Sequence, residues 1–260
     1  MAETDEPTEP TEQDAPPPLT AVEEDWQTAL CVVAHPDDME YGAASAVARW
    51  TAQGKRVVYC MVTSGEAGID GLDPEECREV REAEEIASAR VVGVDEVEFL
   101  RLPDGILEYG VALRREICAV VRKHRPDVAV TINHRETFGG TNLNQADHIA
   151  VGKALVDAVR DAGNRWVFPE QLADGDLEKW DGVRGVLVSA SPQARHGVDV
   201  TDHLAAGVAS LEEHRAYIEG LGWDDFDPEE FLEGMARQSG QRLGTRYAVA
   251  FELLDTGWGG

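Results

Sequence analysis

Along the chain, continuous apolar runs alternate with segments whose apolar residues recur every three or four positions. The first run, Thr28 to Ala34, is apolar throughout rather than alternating, which predicts a strand buried on both faces. It stops at His35, because a strand does not continue easily through Pro36. A helix is expected from about Met39 to Gln53, with Ala43, Ala46, Val47 and Trp50 on one face and Gly54 closing it. Arg56 to Thr63 is a second strand, and Pro74 to Val92 a charged helix with proline in its favoured first turn. Glu96 to Leu102 reads as a third strand, and Val111 to His124 as a helix that Arg125-Pro126 stops. Asp127 to Asn133 is the fourth strand. A loop rich in Gly, Asn and Thr covers His134 to Ala146, and Asp147 opens a helix to about Ala162. Strand alternating with helix four times over predicts an α/β fold: an open, mostly parallel sheet with helices on both faces.

Beyond Ala162 the pattern is less regular. Val183 to Ala190 and Gly197 to Thr201 read as strands, Asp202 to Leu221 and Pro228 to Gln238 as helices, and Tyr247 to Leu254 as a last strand. No internal repeat or linker interrupts residues 26–260, so we expect one domain of Rossmann-like architecture with an elaborated carboxyl-terminal part. Residues 1–25 hold many acids, no Lys or Arg, and the run Pro16-Pro17-Pro18, and we expect them to form a disordered tail.

The charge balance narrows the partners. Fifty acidic residues face 23 basic ones, a formal net charge of −27, and only Lys55, Lys123, Lys153 and Lys179 are lysines. Such a surface repels nucleic acid phosphates and anionic membrane. No apolar run approaches the roughly 20 residues of a membrane span. The amino terminus has neither a basic nor an apolar leader region, and Cys31, Cys60, Cys77 and Cys118 form no C-x-x-C pair. A cytoplasmic protein with core cysteines is the expectation, and a homo-oligomer stays open.

Chemistry gathers at strand ends. In open parallel sheets, ligands bind beyond the carboxyl ends of the strands where strand order reverses. In the doubly wound order the first and fourth strands are neighbours there, so His35, Asp37 and Asp38 would meet the loop that leads to His148. Asp37 or Asp38 alone would also serve as a helix cap, and His35 as a satisfied core histidine. Together, His35, Asp38 and His148 are ligand types for zinc and leave a fourth position open for water. Asp37 would then stay off the metal and accept a proton from that water. This set suits hydrolysis of an amide or ester. No serine or cysteine sits in a nucleophile elbow, and the first strand's loop has no G-x-G-x-x-G for a dinucleotide.

Ala34-His35-Pro36-Asp37-Asp38-Met39-Glu40 resembles the A-H-P-D-D-x-E signature of the PIG-L/LmbE-like zinc-dependent N-deacetylases, which include enzymes acting on N-acetylglucosamine conjugates. Ser64-Gly65-Glu66, Arg81-Glu82-Ala83-Glu84 with Val92-Gly93-Val94, Pro103-Asp104-Gly105 and Asp147-His148 fit the same pattern, over roughly Thr28 to Ala162. The resemblance implies Zn2+ on His35, Asp38 and His148, Asp37 as general base, and Arg81 and Asp104 as contacts to an amino sugar substrate. It also implies H-P-D-H where this chain reads Gln145-Ala146-Asp147-His148. Gln145 can donate a hydrogen bond to an oxyanion but cannot hand over a proton. Either Asp37 serves as both base and acid, or His134 or His196 substitutes. His124, His203 and His214 are placed on helix surfaces or ends and given no role. An N-deacetylase is thus expected, with two alternatives: an amidase on a larger conjugate, or a binding or regulatory protein weakened by Gln145.

Overall fold

The computed structural model describes residues 16–223 and 225–257. A short strand β1 (Thr20–Ala21) precedes β2 (Thr28–Val33), α1 (Asp38–Gly42), α2 (Ala44–Ala52), β3 (Arg56–Met61) and α3 (Pro74–Val91). Then come β4 (Glu96–Phe99), α4 (Val111–His124), β5 (Val128–Ile132), a small hairpin β6 (Thr137–Gly139) and β7 (Asn142–Leu143), and α5 (Ala146–Ala162). The carboxyl-terminal part adds β8 (Gly185–Ser189), β9 (His196–Asp199), α6 (Leu204–Leu211), α7 (Arg215–Gly220), α8 (Pro228–Leu243) and β10 (Ala248–Asp255).

The central sheet has eight strands in the order β1-β9-β10-β8-β5-β2-β3-β4. From β4 to β8 the pairs are all parallel, whereas β10 runs antiparallel to both β8 and β9. The expected mostly parallel α/β sheet is thus observed, and β2 and β5 are neighbours as the doubly wound order requires. Because alternate residues of a strand face opposite ways, the apolar run of β2 feeds two cores. Ala29, Cys31 and Val33 pack with α1 and α2 on one face, and Leu30, Val32 and Ala34 with α4 and α5 on the other.

Three expectations shift. The single helix placed over Met39–Gln53 breaks at Ala43, whose φ of −143° is not helical. The break lets α1 lie against the end of β8, where Gly42 is so close that a Cβ would sit 2.7 Å from Ser189 Oγ. The helix placed over Asp202–Leu221 is two, α6 and α7, and the turn between them buries His214 completely. Residues 1–15 of the expected tail lie outside the described residues, but residues 16–25 are built into the domain. Thr20 and Ala21 pair with β9, Leu19 is buried, and Glu24 accepts from Arg49 Nη2 at 3.0 Å and Trp50 Nε1 at 2.7 Å. Acidity misled there, because this acid has a guanidinium and an indole N–H waiting on α2.

Candidate metal centre

β2 ends in the interior, and the chain turns over His35-Pro36-Asp37 into α1, so His35 and Asp38 leave the same bend. Asp38 Oδ2 accepts from the backbone N–H groups of Ala34 and His35, at 3.0 and 2.9 Å, which turns Oδ1 outward. From the neighbouring strand β5, the loop and the first turn of α5 deliver His148. Its Nε2 lies 3.0 Å from Asp38 Oδ1 and 3.1 Å from His35 Nδ1. The three side chains are buried, and one ligand atom from each falls within 4.8 Å of the others. The three residues named from the sequence are therefore brought together.

The outer nitrogens decide what this cluster can hold. His35 Nε2 lies 3.0 Å from Asp104 Oδ1 and 3.5 Å from Asp147 Oδ2. Both acids already accept backbone N–H groups, Asp104 from Ala67 and Asp147 from Gly105 and Leu107, so both act as acceptors and Nε2 carries the proton. His148 Nδ1 lies 2.9 Å from Asn144 Oδ1. The amide of Asn144 is oriented by its Nδ2, which donates to the carbonyls of Asn133 and Arg135, so His148 Nδ1 is the donor there. With both outer nitrogens donating outward, the inner nitrogens turn toward each other, and that of His148 toward Asp38. Two imidazole nitrogens and a carboxylate oxygen that converge this closely favour a cation between them, either a proton on one imidazole or a metal ion, and two His and one Asp are metal-ligand types that leave a position to spare. Burial opposes a charge on His35, but Asp104, Asp147 and Asp38 outweigh it and raise its proton affinity well above the ordinary imidazole range. Burial likewise opposes the Asp38 carboxylate, and His148 and His35 reverse that, holding its pKa far below normal. The site attracts positive charge.

Asp37 is the odd member. It is buried, its φ of 99° lies in the left-handed region, and its Oδ2 has no hydrogen-bond partner. Burial lifts its pKa to about 6, against the pull of Arg81, whose Nη2 is 3.4 Å from Oδ2. Arg81, expected at a sugar, is itself almost fully buried. It donates to the Pro36 carbonyl and stacks over Tyr217 at 3.7 Å while still lining the cavity. Its guanidinium needs Gly65 in the Ser64-Gly65-Glu66 turn, where φ is +65° and a Cβ would sit 3.0 Å from Arg81 Cζ. Asp104, also expected at the sugar, faces His35 with one oxygen and the Ala67 N–H with the other. The structure ties it to the histidine rather than leaving it free.

The cluster opens into a cavity of about 610 Å³. Gln145, exposed at the start of α5, lines it, as do Tyr41, Phe138, Trp223, Phe226 and Phe231. His134 and His196 do not line it. His134 instead packs on α5 at Gly152, and His196 belongs to β9. Sequence reasoning missed Asn144, although its spacing of four before His148 was a usable signal. It also missed Glu85, directly after the Arg81-Glu82-Ala83-Glu84 motif, and His214, which had no local signal. His124, too, is buried rather than on a surface, with Nε2 2.9 Å from Glu98. Among the described residues no helix is long and apolar enough to cross a membrane.

Known proteins are similar to this chain in sequence and in fold. Residues 30–159 match the family GlcNAc-PI de-N-acetylase, PIG-L. A diacetylchitobiose deacetylase of Thermococcus kodakarensis is 29% identical over 232 residues, covering 88% of this chain and 84% of that protein. The 1D-myo-inositol 2-acetamido-2-deoxy-alpha-D-glucopyranoside deacetylase of Kineococcus radiotolerans is 32% identical over 163 residues, 50% of this chain and 44% of that one. In fold, the N,N'-diacetylchitobiose deacetylase of Pyrococcus horikoshii superposes with a TM-score of 0.81 at 24% identity, over 89% of this chain and 85% of that chain. With half of its length matched to the family, the His-Pro-Asp-Asp bend included, the chain belongs to the PIG-L, LmbE-like family.

Proposed function

We propose that this chain is a zinc-dependent N-deacetylase that hydrolyses the acetamide of an N-acetylated amino sugar conjugate. One observation carries the reading: His35 Nδ1, His148 Nε2 and Asp38 Oδ1 converge on the wall of a cavity beside Asp37, a buried carboxylate whose Oδ2 accepts no hydrogen bond. The activities of the named relatives support the same reaction class.

His35, Asp38 and His148 would hold the metal. When bound, zinc supplies Lewis-acid polarisation and makes water a nucleophile near neutral pH. Asp104 and Asp147 keep the His35 tautomer, and Asn144 keeps that of His148. Asp37 takes a proton from the attacking water as its oxygen bonds to the acetamide carbon. Its pKa of about 6 suits a group that accepts a proton near neutrality and then returns it. When the carbon–nitrogen bond breaks, that proton goes to the leaving nitrogen, and acetate and a free amine result. No histidine need substitute, since His134 and His196 do not line the cavity. Gln145 donates to the oxyanion from the cavity wall, and Arg81 keeps its proposed contact to the sugar through the face it shows to the cavity.

The amidase alternative draws on the size and aromatic wall of the cavity, which suit a conjugate larger than a single acetamido sugar. The retained, buried Asp37 weighs against a protein that only binds. Four buried free cysteines suit a reducing, cytoplasmic setting. Acetate release from a panel of N-acetylglucosamine conjugates, with metal analysis of the same preparation, tests the reading. No turnover on any of them by zinc-loaded protein would sink it.

A further inference from the structure

Asp37 holds a backbone conformation that residues with a Cβ rarely adopt, and such a conformation persists only where its surroundings over-determine it. The surroundings here are specific. The peptide unit joining Pro36 to Asp37 is gripped at both of its polar atoms by one helix. Its carbonyl accepts from Arg81 Nη2, and its N–H donates to Glu85 Oε2 at 3.1 Å. Arg81 and Glu85 are four residues apart on α3 and so point from the same face, one turn apart. With both ends of that peptide plane fixed, the rotation about the Asp37 N–Cα bond is what remains to direct the side chain.

Glu85 is held in turn. It is completely buried, and His214 Nε2 lies 3.6 Å from Glu85 Oε2 and 3.7 Å from Glu40 Oε2. Glu40 is anchored on its other oxygen by Ser88 Oγ at 2.7 Å. Next to Glu85, Glu84 accepts the Ala216 N–H at 2.6 Å, which docks the start of α7 on α3 and keeps His214 over Glu85. None of Glu40, Glu85 and His214 lines the cavity.

The geometry points to Glu85 as a positioning residue: it holds the Pro36–Asp37 peptide so that Asp37 faces the metal centre, with His214 packing it in place. Its effect on turnover rests on the deacetylase reading above. Its effect on the conformation of Asp37 does not.

The experiment compares the zinc-loaded wild type with Glu85→Gln and Glu85→Ala. Turnover on N-acetylglucosamine conjugates, zinc content and the crystal structures are measured for each. Glu85→Gln keeps an oxygen acceptor for the Asp37 N–H and should stay within about threefold of wild-type kcat. Glu85→Ala should lose about 30-fold or more in kcat with KM changed less than threefold and zinc still bound. Its Asp37 φ should leave the left-handed region. Should the alanine variant not fold, Glu85→Met, of similar size and without an oxygen, takes its place. Wild-type kcat in the variant without an acceptor, or an unmoved Asp37 φ, overturns the proposal, as does a glutamine variant no better than alanine. If the wild type itself releases no acetate, the deacetylase reading has failed, and the φ of Asp37 in the variant alone decides the clamp.

Discussion

Asp38 and Glu40 leave the same short helix two residues apart, yet they enter clusters that behave in opposite ways. Asp38 joins His35 and His148; Glu40 joins Glu85 and His214, and both groups consist of buried histidine and carboxylate within reach of one another. In the first, each outer nitrogen is tied to a fixed acceptor, so the inner lone pairs converge and open on a cavity. In the second, neither nitrogen of His214 has a hydrogen-bond partner, its Nε2 lies 3.6 Å from a Glu85 oxygen that already accepts a backbone N–H, and none of the three residues lines the cavity. Ligand types and proximity are therefore common to both groups and do not tell them apart. The atoms around the ligands decide, because they determine where protons sit and so which lone pairs are free.

The electrostatics differ in the same sense. At Asp38 burial is outweighed by His148 and His35 and the acid is favoured ionised; at Glu85 burial, aided by repulsion from Glu40, pushes the pKa well above the usual carboxylate range. Asp38 is thus favoured charged and Glu85 neutral.

The sharpest break of the comparison is His35→Ala against His214→Ala. The first should abolish metal binding, from about one zinc per chain to none, and with it turnover; the second should leave zinc in place. Metal analysis of both proteins decides, and equal zinc loss would mean that the two clusters are one site. Next, Asp37→Asn should retain zinc and lower kcat by about 10²–10⁴-fold, as expected for a lost general base. Unimpaired acetate release would remove Asp37 from the mechanism. Asp104→Asn tests whether the outer acceptor matters, and zinc affinity should fall by about 10–100-fold, read by competition with a chelator. A change confined to KM would instead return Asp104 to the sugar.

The smallest effect is on pH-dependent stability. In the folded chain the Glu85 pKa is raised above its unfolded value of about 4.5, so the native state binds more protons there. Its contribution to stability is complete below that value and is lost as pH rises toward the folded pKa. Glu85→Gln, permanently neutral, should therefore gain on the wild type as pH rises above about 5, by at most about 1.4 kcal/mol per pH unit. Urea unfolding at pH 5 to 8 measures it, and a parallel pair of curves would show that Glu85 ionises freely in the fold.

Much of this was legible along the chain. Thr28–Ala34 had to be a central strand, because a run apolar on every residue fits only where both faces are covered, and the two cores on β2 use its alternate residues. With Pro36 ending the strand, His35 and the two aspartates fell at its carboxyl end. The parallel order then made the loop before His148 their neighbour. Other readings failed for want of the third dimension. Glu24 looked like part of a solvated tail until Arg49 and Trp50 met it. Asp104 looked like a turn acid or a sugar contact, and its orientation toward His35 depends on the packing of the β4–α4 loop over the site.

Local pattern and strand topology thus determined the sheet, the bend and the meeting of His35, Asp38 and His148, since these follow from burial and from residues close in sequence or on adjacent strands. Tertiary structure alone decided the tautomers, the burial of His214 and the grip of Glu85 on the Asp37 peptide. Those depend on single atoms from α3, α5 and the α6–α7 turn meeting within hydrogen-bond distance, and no periodicity in a sequence records that.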